Sequence, residues 1–394
     1  MKDVVCLGMV GAGRATELHI NALKRFSGIP VRLKTIVARR KEQLEPAKAK
    51  YGFENASYDF DDLLNDPEID VIDICTPPYL HCEMIEQVVK AGKHVICEKP
   101  LSGYFGSMDD ELPVGDKVPK KDMYFKLLEE VRRLRTIIRK SGKKFMYAEN
   151  FVYAPSILKA AEIITSKKSR ILFAKGEESL KGSSSPVAGE WSKTGGGTFI
   201  RTGAHPLSAI LWLKQQEALA RGTEIEVSSV IADMGRITPE LSKYEHRHIA
   251  ANPMDVEDCG TAIIGFSDNS RAVVMATDTL LGGSKNYVEL YCNDAVIDCK
   301  LTMSDMMSTY FLDEDNLDSV YISEMLPSKT GWNKPFLEDE IIRGYVDEMR
   351  DFMECVYYDR EPKSGFDLAY DTIRIIYAAY MSAEMGCKVE LNTI

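Results

Sequence analysis

The sequence has no C-x-x-C pair, no apolar run near the roughly 20 residues that span a bilayer, and no excess of basic charge. Its cysteines stand scattered at 6, 75, 82, 97, 259, 292, 299, 355 and 387, an odd number, and several lie inside apolar runs such as Val71–Cys75. That pattern argues against a disulfide framework and for buried free thiols in a reducing compartment. The first apolar stretch is short, broken by glycine and followed by Arg14 and Glu17, so it does not read as a secretory signal. A cytoplasmic location is expected. With 60 acidic against 49 basic side chains the formal net charge is −11. Such a surface repels phosphate backbones and anionic lipid, so neither nucleic acid nor membrane is an expected partner. No internal repeat or long low-complexity tract occurs.

What is present is ordinary globular composition, 45% hydrophobic and 28% charged, over 394 residues. That length exceeds one ordinary core and predicts two domains. In the first 100 residues short apolar runs alternate with amphipathic segments. Strands are predicted at 4–10, 31–38, 71–76 and 94–97, with helices at 15–26, 42–51, 61–65 and 82–91 between them. This rhythm predicts a parallel, doubly wound sheet. Residues 103–121, rich in Gly, Pro, Asp and Lys, interrupt it and read as an inserted surface loop. A helix at 122–141 and a strand at 144–149 close the first domain, residues 1–150. Beyond it the predicted strands lengthen and alternate, at 170–177, 226–236, 261–266, 272–279, 287–292 and 295–300. Asp268-Asn269-Ser270 reads as a hairpin turn. The second domain, 151–394, is therefore expected to be α/β with an open, largely antiparallel sheet. Strong helices follow at 344–357 and 366–385, the last expected to pack back on the first domain.

Gly11, Ala12, Gly13, Arg14, Ala15 and Thr16 follow the first strand and open the first helix. In that context the first glycine allows a tight turn and the second lets a pyrophosphate approach the backbone. The helix N-terminus then offers free N–H groups to the phosphates. Thr16 stands where Gly or Ala is usual. The second strand ends at Arg39 and Arg40, with no acid for the ribose 2′-hydroxyl. Two guanidiniums suit a 2′-phosphate, so the pair leans towards NADP and leaves NAD open.

Three further stretches make the reading specific. These are Thr76-Pro77-Pro78-Tyr79-Leu80-His81, Cys97-Glu98-Lys99-Pro100-Leu101, and the run from Gly195-Gly196-Gly197 to Gly203-Ala204-His205-Pro206. Together with the glycine turn they resemble, in order and across nearly the whole chain, the glucose–fructose oxidoreductase / inositol dehydrogenase / rhizopine catabolism (Gfo/Idh/MocA) family. The resemblance implies a Rossmann domain followed by an α/β domain whose open sheet often joins subunits, hence a homo-oligomer. It implies that Lys99 lies beside nicotinamide and substrate and that His205 transfers the proton. Thr76, Pro77, Pro78 and His81 would belong to a loop near the cofactor, with Glu98 adjoining it.

The chemistry fits those roles. Oxidising an alcohol removes a hydride and a proton, and histidine, ordinarily titrating near pH 6.5, suits the proton. An ammonium orients the hydroxyl and stabilises a developing alkoxide. Two departures stand out. Many family dehydrogenases carry Asp four residues before the histidine and three after it, whereas this chain has Arg201 and Ser208. Arg201 is expected either to touch substrate or to turn aside and pair with an acid. Asn150 and Tyr153, after the last strand of the first domain, are candidate substrate hydrogen-bonders. His246 and His248, near Asp255, Glu257 and Asp258, match no strong metal spacing, and no metal is expected; a loop over the active site is the expected role. The leading expectation is an NAD(P)-dependent dehydrogenase acting on a secondary alcohol of a sugar, glycoside or cyclitol. The alternatives are a glycoside-cleaving enzyme that uses transient oxidation and a non-catalytic nicotinamide-binding sensor.

Overall fold

The computed structural model describes residues 3–302, 309–312, 314, 328–333 and 339–392. Its first part runs β1 (Val5–Val10), α1 (Arg14–Leu23), β2 (Val31–Val37), α2 (Lys41–Tyr51), β3 (Asn55–Ser57), α3 (Asp61–Asn65), β4 (Val71–Ile74), α4 (His81–Lys90), β5 (His94–Glu98), α5 (Val114–Lys117), α6 (Lys120–Ser141) and β6 (Phe145–Ala148). The six strands form one sheet in the order β3-β2-β1-β4-β5-β6, and every pair is parallel. This is the doubly wound order of dinucleotide-binding sheets, with its switch point beside β1. The central strands are buried along their whole length, as helices on both faces require.

The second part contains α7 (Pro155–Lys167), β7 (Ile171–Ser179), α8 (Trp191–Thr194), α9 (Ala204–Arg221), β8 (Val227–Gly235), β9 (Cys259–Phe266), β10 (Arg271–Thr277), β11 (Lys285–Cys292) and β12 (Val296–Lys300). A short pair follows, β13 (Thr309–Phe311) and β14 (Gly331–Asn333), then α10 (Asp339–Ile342), α11 (Tyr345–Tyr358), α12 (Phe366–Met385) and β15 (Val389–Glu390). The main sheet has the order β12-β11-β7-β10-β9-β8-β15. All its pairs are antiparallel except β10 with β7. The predicted turn is present, with Asn269 at a left-handed φ of 67°. Buried and half-exposed positions alternate along β10 and β11, the mark of a sheet covered on one face. The covering helix is α9, whose first eleven residues are all buried. The last helices return towards the first sheet. α11 packs on α1, and α12 lies between α6, β6 and β8, where Arg132 Nε donates to the Tyr370 hydroxyl (3.2 Å).

The stretch 103–121 differs from the expected surface loop. Tyr104, Val114 and Val118 are buried. The Tyr104 N–H donates to the Tyr377 hydroxyl (2.6 Å), Trp191 Nε1 donates to the Tyr104 carbonyl (2.9 Å), and the Gly115 N–H donates to Asp255 Oδ2 (2.8 Å). The segment is a strap tied into the second part of the chain, although its tip is exposed at Met108 and Leu112. Among the described residues no helix is long and apolar enough to cross a membrane.

Candidate active site

The glycine turn has the expected geometry. Gly11 adopts φ 112°, and a Cβ there would lie 2.3 Å from the Cys75 carbonyl oxygen, so only glycine fits. At Gly13 a Cβ would meet nothing within 4 Å. This is the open approach a pyrophosphate needs. No side chain caps the start of α1, which leaves its first N–H groups for an anion. Thr16, the odd member of the motif, is fully buried and donates its hydroxyl to the Gly11 carbonyl (3.0 Å). It locks the turn from below, which accounts for the departure from Gly or Ala. Ala12, Arg14 and Ala15 lie on the same turn, with Arg14 paired to Glu17 (3.0 Å). Arg39 and Arg40 are exposed at the end of β2.

Beneath this turn lies a clamp that sequence reading missed. His19 of α1 is fully buried, with Nδ1 2.8 Å from Asp73 Oδ2 and Nε2 3.2 Å from Glu98 Oε1. Burial alone would push its pKa down, but the Asp73 carboxylate and the neighbouring Cys75 carry it well above the ordinary value. Glu98, which burial would raise, is instead held low by the His19 ring and by Lys99. Its second oxygen accepts the Lys99 backbone N–H (2.9 Å). The one available signal was Asp73, a lone charge inside an apolar strand. Removing one partner of such a buried ion pair costs about 3–5 kcal/mol. His19→Gln is expected to lower stability to denaturant by about that much, and a loss below about 1 kcal/mol would contradict the clamp. Because the folded pKa is raised, the clamp's contribution is complete below about pH 6.5 and drains as pH rises through the folded value. The gap between wild type and variant should therefore narrow in alkaline solution.

Thr76, Pro77 and Pro78 make the turn after β4, and His81 begins α4 behind it. Both His81 ring nitrogens lie 2.9 Å from carbonyl oxygens, those of Pro100 and Thr76. The ring thus pins the Thr76 turn to the Lys99-Pro100 segment while burial pulls its pKa down.

Lys99, at the end of β5, reaches out of the first sheet. Its Nζ donates to the Arg201 carbonyl (2.5 Å), one turn before His205. Phe199–Gly203, which carries Arg201 and leads into the helix bearing His205, forms a π-helical turn, a rare conformation that is frequent at functional sites. Gly197 must be glycine, because a Cβ would sit 1.8 Å from the Glu257 carbonyl oxygen. His205 is buried to 6% exposure. Its ring stacks on Phe151 with centroids 4.9 Å apart. Nδ1 lies 2.6 Å from Glu149 Oε1, and Nε2 lies 3.9 Å from Glu178 Oε2. Glu149 belongs to the stretch that drew attention in the sequence, but the members picked there serve elsewhere. Tyr153 is fully buried, donates to Asp351 Oδ2 (2.9 Å) and accepts the Ser364 N–H (3.0 Å). Asn150 donates to the Arg343 carbonyl (2.8 Å). Both side chains thus bond to the C-terminal segment.

Arg201 pairs with an acid while remaining in the wall of a cavity. Its guanidinium pairs with buried Asp278, which also accepts the Thr198 hydroxyl (3.0 Å). Ser208, the other departure, is buried and hydrogen-bonded to Thr372 (2.9 Å). The acids near His246 and His248 are consumed by backbone. Asp255 accepts from Gly115 and Trp191, Glu257 from Gly197 and Phe199, and Asp258 from Ile237 and Thr238. His246 Nε2 lies 2.7 Å from the Ala251 carbonyl oxygen.

Comparison with known proteins gives this geometry a family. The model described as "Oxidoreductase family, NAD-binding Rossmann fold" matches residues 5–110, and that of the GFO/IDH/MocA C-terminal domain matches residues 168–298. The chain belongs to the GFO/IDH/MocA oxidoreductase family. Within it, the levoglucosan dehydrogenase of Pseudarthrobacter phenanthrenivorans is 25% identical, with 98% of each chain covered. The myo-inositol 2-dehydrogenase of Thermotoga maritima is 35% identical over 26% of this chain and 30% of its own length. Among solved structures, GenD2 from gentamicin A biosynthesis, in complex with NAD, has a TM-score of 0.79 at 22% identity, covering 100% of this chain and 97% of its own. Levoglucosan dehydrogenase in complex with NADH and levoglucosan has a TM-score of 0.71 at 21% identity, covering 98% of this chain and 99% of its own. This family member is an NAD-binding oxidoreductase with the family's two-part α/β fold.

Proposed function

We propose that the protein is an NAD(P)-dependent dehydrogenase that oxidises a secondary hydroxyl of a sugar, glycoside or cyclitol, with Lys99 and His205 at the reacting oxygen. The observation that carries the reading is the bond from Lys99 Nζ to the turn bearing His205. It ties an ammonium from the dinucleotide sheet to the turn that leads into His205 of the second sheet's covering helix. The relatives named for levoglucosan and myo-inositol support a polyhydroxylated substrate.

A dinucleotide on the Gly11–Ala15 turn would supply the hydride acceptor. The chain's own residues manage the proton. Nδ1 of His205, facing the Glu149 carboxylate at 2.6 Å, carries the ring proton, so Nε2 presents the lone pair of a general base. Glu149 fixes that tautomer and steadies the imidazolium that forms. Lys99 donates to the substrate hydroxyl and stabilises charge developing on its oxygen. The Phe151 ring keeps the imidazole plane in place.

The test is the full chain with NAD or NADP and a panel of sugars, glycosides and cyclitols. Reduced nicotinamide is followed by near-ultraviolet absorbance alongside released aglycone. Formation of reduced cofactor supports the dehydrogenase. Aglycone release without net reduction favours transient oxidation and overturns it, and so does the absence of both.

The NADH complexes of relatives support NAD, while Arg39 and Arg40 retain the means to take a 2′-phosphate. A charge-assisted hydrogen bond is worth about 1.5–3 kcal/mol. Replacing both arginines by Ala should therefore shift the NADP-to-NAD ratio of kcat/KM at least about tenfold towards NAD. An unmoved ratio would show that neither guanidinium meets the cofactor. We also propose a homo-oligomer joined through the open face of the large sheet, where Leu172, Ile231 and Ile263 are exposed. Sedimentation analysis should give a dimer or larger, and a monomer would contradict this.

A further inference from the structure

Next to the turn that bears Arg201 two loops enclose a space. The segment after β7 and the segment before β9 are zipped together at both ends. The Ala250 N–H donates to the Lys181 carbonyl (2.7 Å) and the Met254 N–H to the Gly189 carbonyl (2.9 Å). Glycines allow the close approach. A Cβ at Gly182 would lie 2.3 Å from the Ala251 nitrogen, and one at Gly189 would lie 2.1 Å from the Asn252 carbonyl oxygen. Between the two closures the loops part around a cavity of about 260 Å³ lined by Ser183, Ser184, Ser185 and Asn252, with Arg201 and Asp278 also in its wall.

Three properties define what fits. The volume is below the roughly 300–1,000 Å³ of pockets that hold a whole drug-sized ligand, so it suits one ring of a larger molecule. The ionic groups of the wall are already engaged: the Arg201 guanidinium is paired with Asp278, and Glu257, also in the wall, accepts the Gly197 and Phe199 N–H groups and the Tyr380 hydroxyl. A hydroxyl-bearing neutral group is therefore favoured over a carboxylate. Apart from those three charged residues, the polar side chains of the wall are three serines and an asparagine, which donate and accept in the manner polyols require. The cavity also communicates with the chemistry through one residue. Arg201 stands in its wall, and the Arg201 carbonyl accepts from the Lys99 ammonium.

We propose that this cavity is a subsite for a second, uncharged sugar-like ring, and that the substrate is a glycoside of at least two rings, oxidised on the ring nearer Lys99. This rests on the dehydrogenase reading above. Ser183 to Ser185 and Asn252 bind the distal ring. The Arg201–Asp278 pair forms the neutral wall between the two subsites.

The test compares kcat/KM, on the full chain with NAD, for methyl glycosides of glucose, galactose and mannose against maltose, cellobiose and lactose. The expected result is a disaccharide-to-methyl-glycoside ratio of at least about ten, which Ser183→Trp, filling the cavity, brings close to one. A variant that merely misfolds lowers both substrates and leaves the ratio in place. Turnover with a ratio near one in the wild type, or a ratio unmoved by the tryptophan, overturns the subsite and spares the dehydrogenase. No turnover of any of these sugars, nor of cyclitols assayed alongside them, overturns the dehydrogenase reading. In that event saturation-transfer NMR of the same disaccharides on the NAD-loaded protein decides the subsite separately, and absence of a signal sensitive to Ser183→Trp overturns it.

Discussion

His205→Asn is expected to lower kcat by roughly 10²–10⁴-fold, the usual contribution of a positioned general base, while NAD binding followed by fluorescence persists. The amide keeps much of the ring's volume but cannot take a proton from a hydroxyl. Lys99→Ala should cost roughly 10²–10³-fold, the range seen when one donor to a developing oxyanion is removed. The two losses should not add, since both groups serve one oxygen. A double variant much slower than the worse single variant would mean that they act in separate steps. Full activity in either single variant would remove that residue from the reaction.

Glu149→Gln carries the second large effect. The carboxylate touches neither cofactor turn nor open cavity, and its work passes through the 2.6 Å contact with His205 Nδ1. An amide of the same shape can present its NH₂ group to Nδ1, which moves the ring proton to Nε2 and removes the base. In a Ser-His-Asp site, substitution of the orienting acid by its amide costs about 10⁴-fold. Here, with the ring also held by Phe151, roughly 10²–10³-fold in kcat is expected, with KM little changed. Glu149→Asp should recover part of the rate. A change confined to KM, or equal loss in the Asp and Gln variants, would make Glu149 a packing residue.

The elements that build the site were legible wherever local pattern decides structure. The apolar strand, glycine turn and amphipathic helix at the N-terminus left little freedom, and the helix at 366–385 emerged with the same bounds. Alternation along the later strands foretold a sheet covered on one face. What stayed hidden depended on partners distant in the chain. Residues 103–121 have the composition of a surface loop, yet Tyr104 is buried because Trp191 and Tyr377 wait for it. Arg201 has no local sign of Asp278, 77 positions away. Within Glu149–Tyr153 the aromatic and the amide looked like ligand groups, while the carboxylate was passed over. Register decided the matter. Glu149 follows β6 directly and faces His205, whereas the 3-10 turn over Asn150–Tyr153 carries Tyr153 into the core. The family motifs point to Lys99 and His205 but are silent on His19, because the clamp joins α1, β4 and β5 through single residues with no shared pattern.

The account depends on hydride leaving a substrate carbon while His205 receives the hydroxyl proton. The most direct measurement takes the sugar or glycoside that is turned over, deuterated at the oxidised carbon, and incubates it with the full chain and nicotinamide cofactor. Mass spectrometry of the cofactor then locates the label. The account predicts deuterium on the reduced nicotinamide and none in the solvent. Product formed with an unlabelled cofactor, or deuterium released to water, would contradict it.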